Sequence, residues 1–177
     1  MRIISGKNKG TQLIAPATLP VRPTTDFAKE ALFNILTNYY YFDELSVLDL
    51  FAGTGNISYE FASRGCPSLI AVDSHSGCVQ FINKTARELD YPITVLKADV
   101  YEYLKRTVKR FDVIFADPPY ELPIEKFTEI TELVFERDFL NENGTLIIEH
   151  SSRTDLSNLP HFVTSKKYGG CVFSMFE

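Results

Sequence analysis

From residue 45 onward, short apolar runs alternate with stretches in which apolar positions recur every three or four residues. Residues 45–51, 68–72, Ile93–Lys97, Phe111–Ala116 and 145–149 are short and nearly continuous in apolar character, the pattern of buried strands. Between them lie helical spacings. Residues 56–64 form one such stretch, stopped by Gly65; Val79, Ile82, Ala86 and Leu89 mark a second. Val100, Leu104 and Val108 mark a third, and Phe127, Ile130 and Val134 a fourth. Residues 162–166 and 171–176 flank Gly169 and Gly170 and read as two strands with no helix between them. Upstream, Ala28, Ala31, Leu32, Ile35 and Leu36 stripe an amphipathic helix that Thr25 or Asp26 can cap. Pro16, Pro20 and Pro23 keep the preceding chain out of helix, and residues 2–12 alternate weakly around Gly6 and Gly10, as a hairpin or extended arm would. The run Tyr39, Tyr40, Tyr41, Phe42 reads as a helix end packed on the sheet.

Repeated strand–helix units predict an α/β fold with a mostly parallel sheet and helices on both faces. The closing pair adds an antiparallel strand, for which an edge is the expected place. The chain divides into an N-terminal arm or hairpin over 1–23 and one domain over 24–177, a size that buries most of its surface on folding. Ligands of open α/β sheets bind beyond the carboxyl ends of the strands. In this chain those ends carry Asp49, Asp73, Asp99 and Asp117.

Composition is that of an ordinary globular protein, 45% apolar and 23% charged. No apolar run approaches the roughly 20 residues a membrane helix needs, and the opening residues are too short an apolar stretch for a signal peptide. Cys66, Cys78 and Cys171 are odd in number and lack zinc spacing, and His75, His150 and His161 show no partner spacing. No metal, no membrane, a cytoplasmic location and a monomeric state are expected. The net charge of −5 is unevenly spread: residues 1–30 carry Arg2, Lys7, Lys9, Arg22 and Lys29 against Asp26 and Glu30, while the remainder is acidic. A basic arm on an acidic body suits local phosphate contact.

Asp117, Pro118, Pro119 and Tyr120 follow the fourth strand. Asp117 and the backbone carbonyl beside Pro118 can accept hydrogen bonds from an exocyclic amine, and Tyr120 can stack on its ring. The prolines fix φ and remove competing donors. The plain alternative is a strand-to-loop turn, since Asp-Pro commonly starts one. After the first strand come Asp49, Leu50, Phe51, Ala52, Gly53, Thr54 and Gly55, a tight turn that lets the backbone approach a ligand. The third glycine of a dinucleotide fingerprint is missing, and Asp49 repels a pyrophosphate but welcomes the ammonium of S-adenosylmethionine. A nicotinamide oxidoreductase is therefore disfavoured. Asp73, 18 residues past Gly55, is placed to accept from ribose hydroxyls, and Asp99 with the Val100 N–H to read an adenine. Helix capping is the plain role of both. Glu149, at the end of the fifth strand, can line the pocket, with no assigned task.

On these residues the chain resembles class I S-adenosylmethionine-dependent methyltransferases. More closely it resembles the RsmD family, which methylates a guanine amine in bacterial small-subunit (16S) ribosomal RNA. The resemblance rests on Arg2, Ile3, Ile4, Ser5 and Gly6, on Arg22, Pro23, Thr24, Thr25 and Asp26 with Glu30, Ala31, Leu32, Phe33 and Asn34, and on residues 49–55 and 117–120. It implies a Rossmann-like fold with a seven-stranded sheet. It also implies a cofactor site at 49–55, Asp73, Asp99 and Val100, catalysis at 117–120, and RNA contact by Arg2, Lys7, Lys9, Arg22, Thr24 and Thr25. The substrate it implies is ribosomal RNA, with a small-subunit assembly particle attractive because the chain has little surface for reading a long RNA. Phe27 and Thr11 stand where the family usually has a basic residue. Two alternatives stay open: an adenine-N6 methyltransferase on DNA or RNA, since both bases present an NH₂ to the same acceptors, and a non-catalytic nucleic-acid-binding module on the same fold.

Overall fold

The computed structural model describes residues 1–19 and 24–177. Thr25 starts helix α1 (Asp26–Leu36) by accepting the Ala28 N–H on its side-chain oxygen at 3.2 Å. Then strands and helices alternate: β1 (Ser46–Leu50), α2 (Asn56–Ser63), β2 (Ser68–Asp73), α3 (Ser76–Glu88), β3 (Ile93–Lys97), α4 (Val100–Arg106), β4 (Phe111–Ala116) and α5 (Ile124–Glu136). Three strands end the chain: β5 (Leu140–Ser151), β6 (Phe162–Tyr168) and β7 (Cys171–Phe176). They form one seven-stranded sheet in the order β3-β2-β1-β4-β5-β7-β6. The order reverses direction between β1 and β4, the switch point at which such sheets open a crevice.

Period-two alternation splits the core between the two faces. Val47 of β1 and Val113 and Phe115 of β4 point to the face covered by α1, α2 and α3. Leu48, Leu50, Ile114 and Ala116 point to the face covered by α4 and α5, where Leu104, Phe127, Ile130 and Val134 are fully buried. Each such large side chain contributes roughly 1.5–3 kcal/mol.

Four details depart from the sequence expectation. The antiparallel strand is not at the edge: β7 lies between β5 and β6, pairing antiparallel with both. The burial of Cys171, Phe173, Met175 and Phe176 explains this, whereas β6 carries Lys166 and Lys167 into solvent and suits an edge. The buried stripe of α1 is Ala28, Lys29, Leu32, Phe33 and Leu36, rotated from the expected one. Val108 lies beyond the end of α4 and is exposed. Tyr39 and Tyr41 are exposed too; of that run Tyr40 and Phe42 are half-buried against the core, Phe42 on Phe33 and Phe61.

The N-terminal residues dock on α2. A single antiparallel bridge joins Arg2 and Gln12, and Ile3 is buried. Glu60, fully buried in α2, accepts the N–H groups of Ile4 and Ser5 at 2.8 and 3.0 Å. Gly6 lies so close to α2 that an added Cβ would stand 1.9 Å from the Ser63 carbonyl oxygen, at φ +82°. Lys29, also buried, donates to the Arg2 carbonyl (2.5 Å) and to Asn56 Oδ1 (2.8 Å) and lies 3.7 Å from Glu60. Burial pulls its ammonium below the usual lysine range, and Glu60 opposes that pull.

Candidate active site

Because β1 and β4 are neighbours, their carboxyl ends open side by side. Beyond β1 the chain turns through Phe51 (φ 60°), Gly53 (φ 56°) and Gly55 (φ 83°) directly into α2. The need for glycine at position 55 is internal: a Cβ would stand 2.8 Å from the Tyr59 ring. Asp73, at the end of β2, holds the turn in shape. One of its oxygens accepts the Gly53 N–H and the other the His75 N–H, both at 2.8 Å. Beneath the turn, Asp49 is buried and accepts the Ser58 hydroxyl at 2.5 Å. Burial pushes its carboxyl up to about 7; the Ser58 bond opposes this and the nearby Asp73 charge adds to it.

Beyond β4, the Asp117 N–H donates to the Leu50 carbonyl at 3.3 Å, which ties the two strand-end loops together. Pro118 is buried, Pro119 exposed, and Asp117 and Tyr120 half-buried. The Tyr120 hydroxyl donates to Glu149 at 3.3 Å, and the other oxygen of Glu149 accepts the Thr24 hydroxyl at 3.1 Å. The Thr24 carbonyl in turn accepts from the Asn56 side chain at 3.1 Å, and Asn56 is held by Lys29. The start of α1 is thus fastened to both strand-end loops.

These groups line one cavity of about 640 Å³, within the range of small-molecule sites. Of the residues singled out in the sequence, Asp49, Phe51, Ala52, Gly53, Thr54, Asp73, Asp117, Pro118, Pro119, Tyr120, Thr24 and Thr25 line it. Gly55 does not; it sits just behind, as the residue preceding α2. Asp99 and Val100 are also outside the lining. Asp99 caps α4 by accepting the Glu102 N–H at 3.0 Å, and Val100, the first residue of that helix, is buried. Arg2, Lys7 and Lys9 are exposed on the N-terminal arm, with Arg2 3.3 Å from Asp26. Arg22 lies outside the described residues.

Sequence reasoning missed several lining groups: Phe27, Asn56, His75, Cys78, Tyr168 and Cys171, whereas Glu149 lines the cavity as its place at the fifth strand end suggests. The spacing of Lys29, Leu32, Phe33 and Leu36, a lysine on an apolar helical stripe, was the signal that α1 carries a buried polar anchor. Nothing local marks Tyr168 or Cys171, which reach the cavity only through the β6–β7 pairing. Among the described lining residues are the acids Asp49, Asp73, Asp117, Glu121 and Glu149 and no lysine or arginine. Such a cavity favours a cationic ligand. Among the described residues no group of three or more metal-ligating side chains forms, and no helix is long and apolar enough to cross a membrane. His150 is buried, its ring nitrogens against the Ser151 carbonyl and the Ser174 hydroxyl, and His161 stacks on Phe135.

Comparison with known proteins adds relatives. The family model described as "conserved hypothetical protein 95" matches residues 1–177. A putative rRNA methyltransferase (YlbH) of Bacillus subtilis is 37% identical over 161 residues, covering 88% of this chain and 85% of that protein. The ribosomal RNA small subunit methyltransferase D of Buchnera aphidicola (subspecies Baizongia pistaciae) is 30% identical over 153 residues, covering 86% of this chain and 76% of that protein. Among solved structures, the Thermus thermophilus 16S rRNA N2 G1207 methyltransferase (RsmC), in complex with AdoMet and guanosine, superposes with a TM-score of 0.70. It is 20% identical, with 90% of this chain and 45% of that one covered, a likeness of fold alone.

Proposed function

This chain belongs to the RsmD family, and from that premise we propose that it transfers a methyl group from S-adenosylmethionine to the exocyclic N2 amine of a guanine in small-subunit ribosomal RNA. The observation that carries the reading is the junction of β1 and β4. The acidic glycine turn and the residues gripping an amine open into one cavity, joined by the bond from Asp117 to Leu50.

The cavity fits the donor in chemistry. Asp49 offers a carboxylate to an ammonium, Asp73 retains acceptor capacity for hydroxyls beyond its two backbone bonds, and the Gly53 turn carries no Cβ to block approach. When bound, S-adenosylmethionine supplies an electrophilic methyl on a sulfonium. Asp99 and Val100 would complete the adenine end from just outside the cavity lining. The remaining work falls to this chain. Asp117 and the carbonyl beside Pro118 accept the two N–H groups of the base amine, which draws the nitrogen lone pair out of ring conjugation and stabilises the charge that grows on it. Tyr120, anchored through Glu149, stacks on the extruded base and replaces part of its lost stacking. Holding the amine in line with the methyl supplies much of the rate, and Asp117 or water takes the proton afterwards.

The choice of guanine over adenine rests on membership of the RsmD family, since both bases present an NH₂ to the acceptors at Asp117 and Pro118. Arg2, Lys7, Lys9 and Arg22 are read as phosphate contacts beside Thr24 and Thr25, the substrate as a small-subunit assembly particle, and the protein as a monomer of the cytoplasm.

Labelled methyl transfer to small-subunit particles from cells lacking this protein, followed by nucleoside analysis, tests the reading. N2-methylguanosine is expected, N6-methyladenosine would replace guanine by adenine, and no transfer together with no calorimetric binding of S-adenosylhomocysteine would make the chain a scaffold. Asp117→Ala should abolish transfer while leaving S-adenosylhomocysteine affinity within several-fold.

A further inference from the structure

At the mouth of the cavity stands an aromatic pair that the proposed methyl transfer does not use. Phe27, the second residue of α1, keeps 68% of its surface exposed. Its ring meets Tyr168, the last residue of β6, edge to face, with centroids 6.1 Å apart and planes at 74°. Tyr168 is itself anchored, packing against the buried Phe173 ring at 6.0 Å. Both rings line the same cavity as Asp117 and Tyr120. Next to Tyr168, the turn of Gly169 and Gly170 presents no side chain, and an added Cβ at either would meet nothing within 4 Å. The rim is therefore an open aromatic shelf on a braced base, with room above it.

We propose that Phe27 and Tyr168 form a stacking platform for the nucleotide that flanks the methylated base, so that the protein binds a single-stranded RNA segment rather than one isolated base. This rests on the reading of the cavity as a base pocket. Extruding a base leaves its neighbour with one face unstacked, and an aromatic ring is the sequence-tolerant replacement. The edge-to-face pair suits the task because a T-shaped contact spends one ring's edge and one face of the other, leaving the remaining faces open to a base. Continuity with the cavity selects a nucleotide, since the strand entering the pocket has to cross this rim. Because the interaction is through π-faces, it carries little dependence on salt, in contrast to the lysines of the arm.

The test uses the full chain and a short single-stranded RNA with one guanine flanked by 2-aminopurine, whose fluorescence is quenched by stacking. Wild-type protein should quench it on binding. Phe27→Leu keeps an apolar side chain but removes the π-face; it should lose the quench and raise Kd by about 5- to 100-fold. Phe27→Trp should restore both. S-adenosylhomocysteine affinity should be the same in all three, as it would not be if the substitution had damaged the fold. With particles as substrate, Phe27→Leu should raise KM and leave kcat within two- to three-fold. Unchanged quench and Kd in Phe27→Leu, or no quench with the wild type, overturns the platform. Failure of the wild type to methylate guanine, with a Phe27-dependent quench intact, would instead overturn the functional reading and leave the platform standing.

Discussion

Asp49 shows how one buried carboxyl makes stability depend on pH. In the unfolded chain an aspartate ionises near 4, whereas in the fold burial raises this one to about 7. Between those values the folded protein holds a proton that the unfolded chain has released. The contribution of Asp49 to stability is therefore present below pH 4, falls as pH rises through 7 and is constant above. Denaturant titrations from pH 5 to 8 on wild type and Asp49→Asn should show this: the difference in unfolding free energy between the two should move against the wild type as pH rises and level off above 7. On the proposed reading the ionised form of Asp49 meets the cofactor's ammonium, so S-adenosylhomocysteine should bind more tightly at pH 8 than at pH 6, and Asp49→Asn should flatten that dependence in calorimetry. At Gly55, alanine brings both a left-handed φ and a 2.8 Å approach to Tyr59. The expected cost is about 1–3 kcal/mol, read as a lowered Tm.

Between elements, the N-terminal segment, α1 and α2 share one buried polar cluster. Glu60 takes two backbone N–H groups of residues 4 and 5 and the Arg64 guanidinium, while Lys29 binds the Arg2 carbonyl and Asn56. Removing one partner of such a set leaves buried charge uncompensated, at roughly 3–5 kcal/mol. Glu60→Ala should accordingly lower Tm steeply. Gly6→Ala tests the docking of the segment directly, since at a left-handed φ its Cβ would collide with the Ser63 carbonyl and the Arg64 backbone nitrogen, so the segment has to shift. It should speed amide exchange at Ile3 and Gly10, whose N–H groups bond within the segment, while leaving β1 and β4 protected. None of this cluster was legible from charge counting, because Lys29 looked like one cation among five near the N-terminus. Its burial is set by the rotation of α1, which packing of Leu32 and Phe33 decides.

For the molecule as a whole, an acidic body presents a basic segment on which Lys7 and Lys9 are exposed. If each lysine meets one phosphate, Lys7→Ala with Lys9→Ala should reduce the slope of log affinity against log salt by roughly 1.4–1.8, without changing S-adenosylhomocysteine binding. Filter binding of ribosomal RNA across a salt series would measure it, and an unchanged slope would remove these lysines from the interface.

The fold class was fully determined by local pattern. Alternating apolar runs and helical spacings specify five parallel strands, because each signal is set within a few residues and buried strands on both faces leave no polar alternative. The residues of the glycine turn and of positions 117–120 were visible for the same reason: a strand end followed by glycine or proline is a local event. What only the tertiary structure decided is what meets what. The β1–β4 adjacency puts Asp117 against Leu50, the insertion of β7 brings Tyr168 and Cys171 to the cavity, and Glu149 accepts from both Tyr120 and Thr24, the latter 125 residues away in the chain. Asp99, one of four similar strand-end acids in the sequence, serves as a helix cap outside the cavity lining, because β3 lies at the sheet edge, two strands from the switch point. Such contacts depend on strand order, and strand order is settled by which faces can be buried together rather than by any residue's neighbours in sequence.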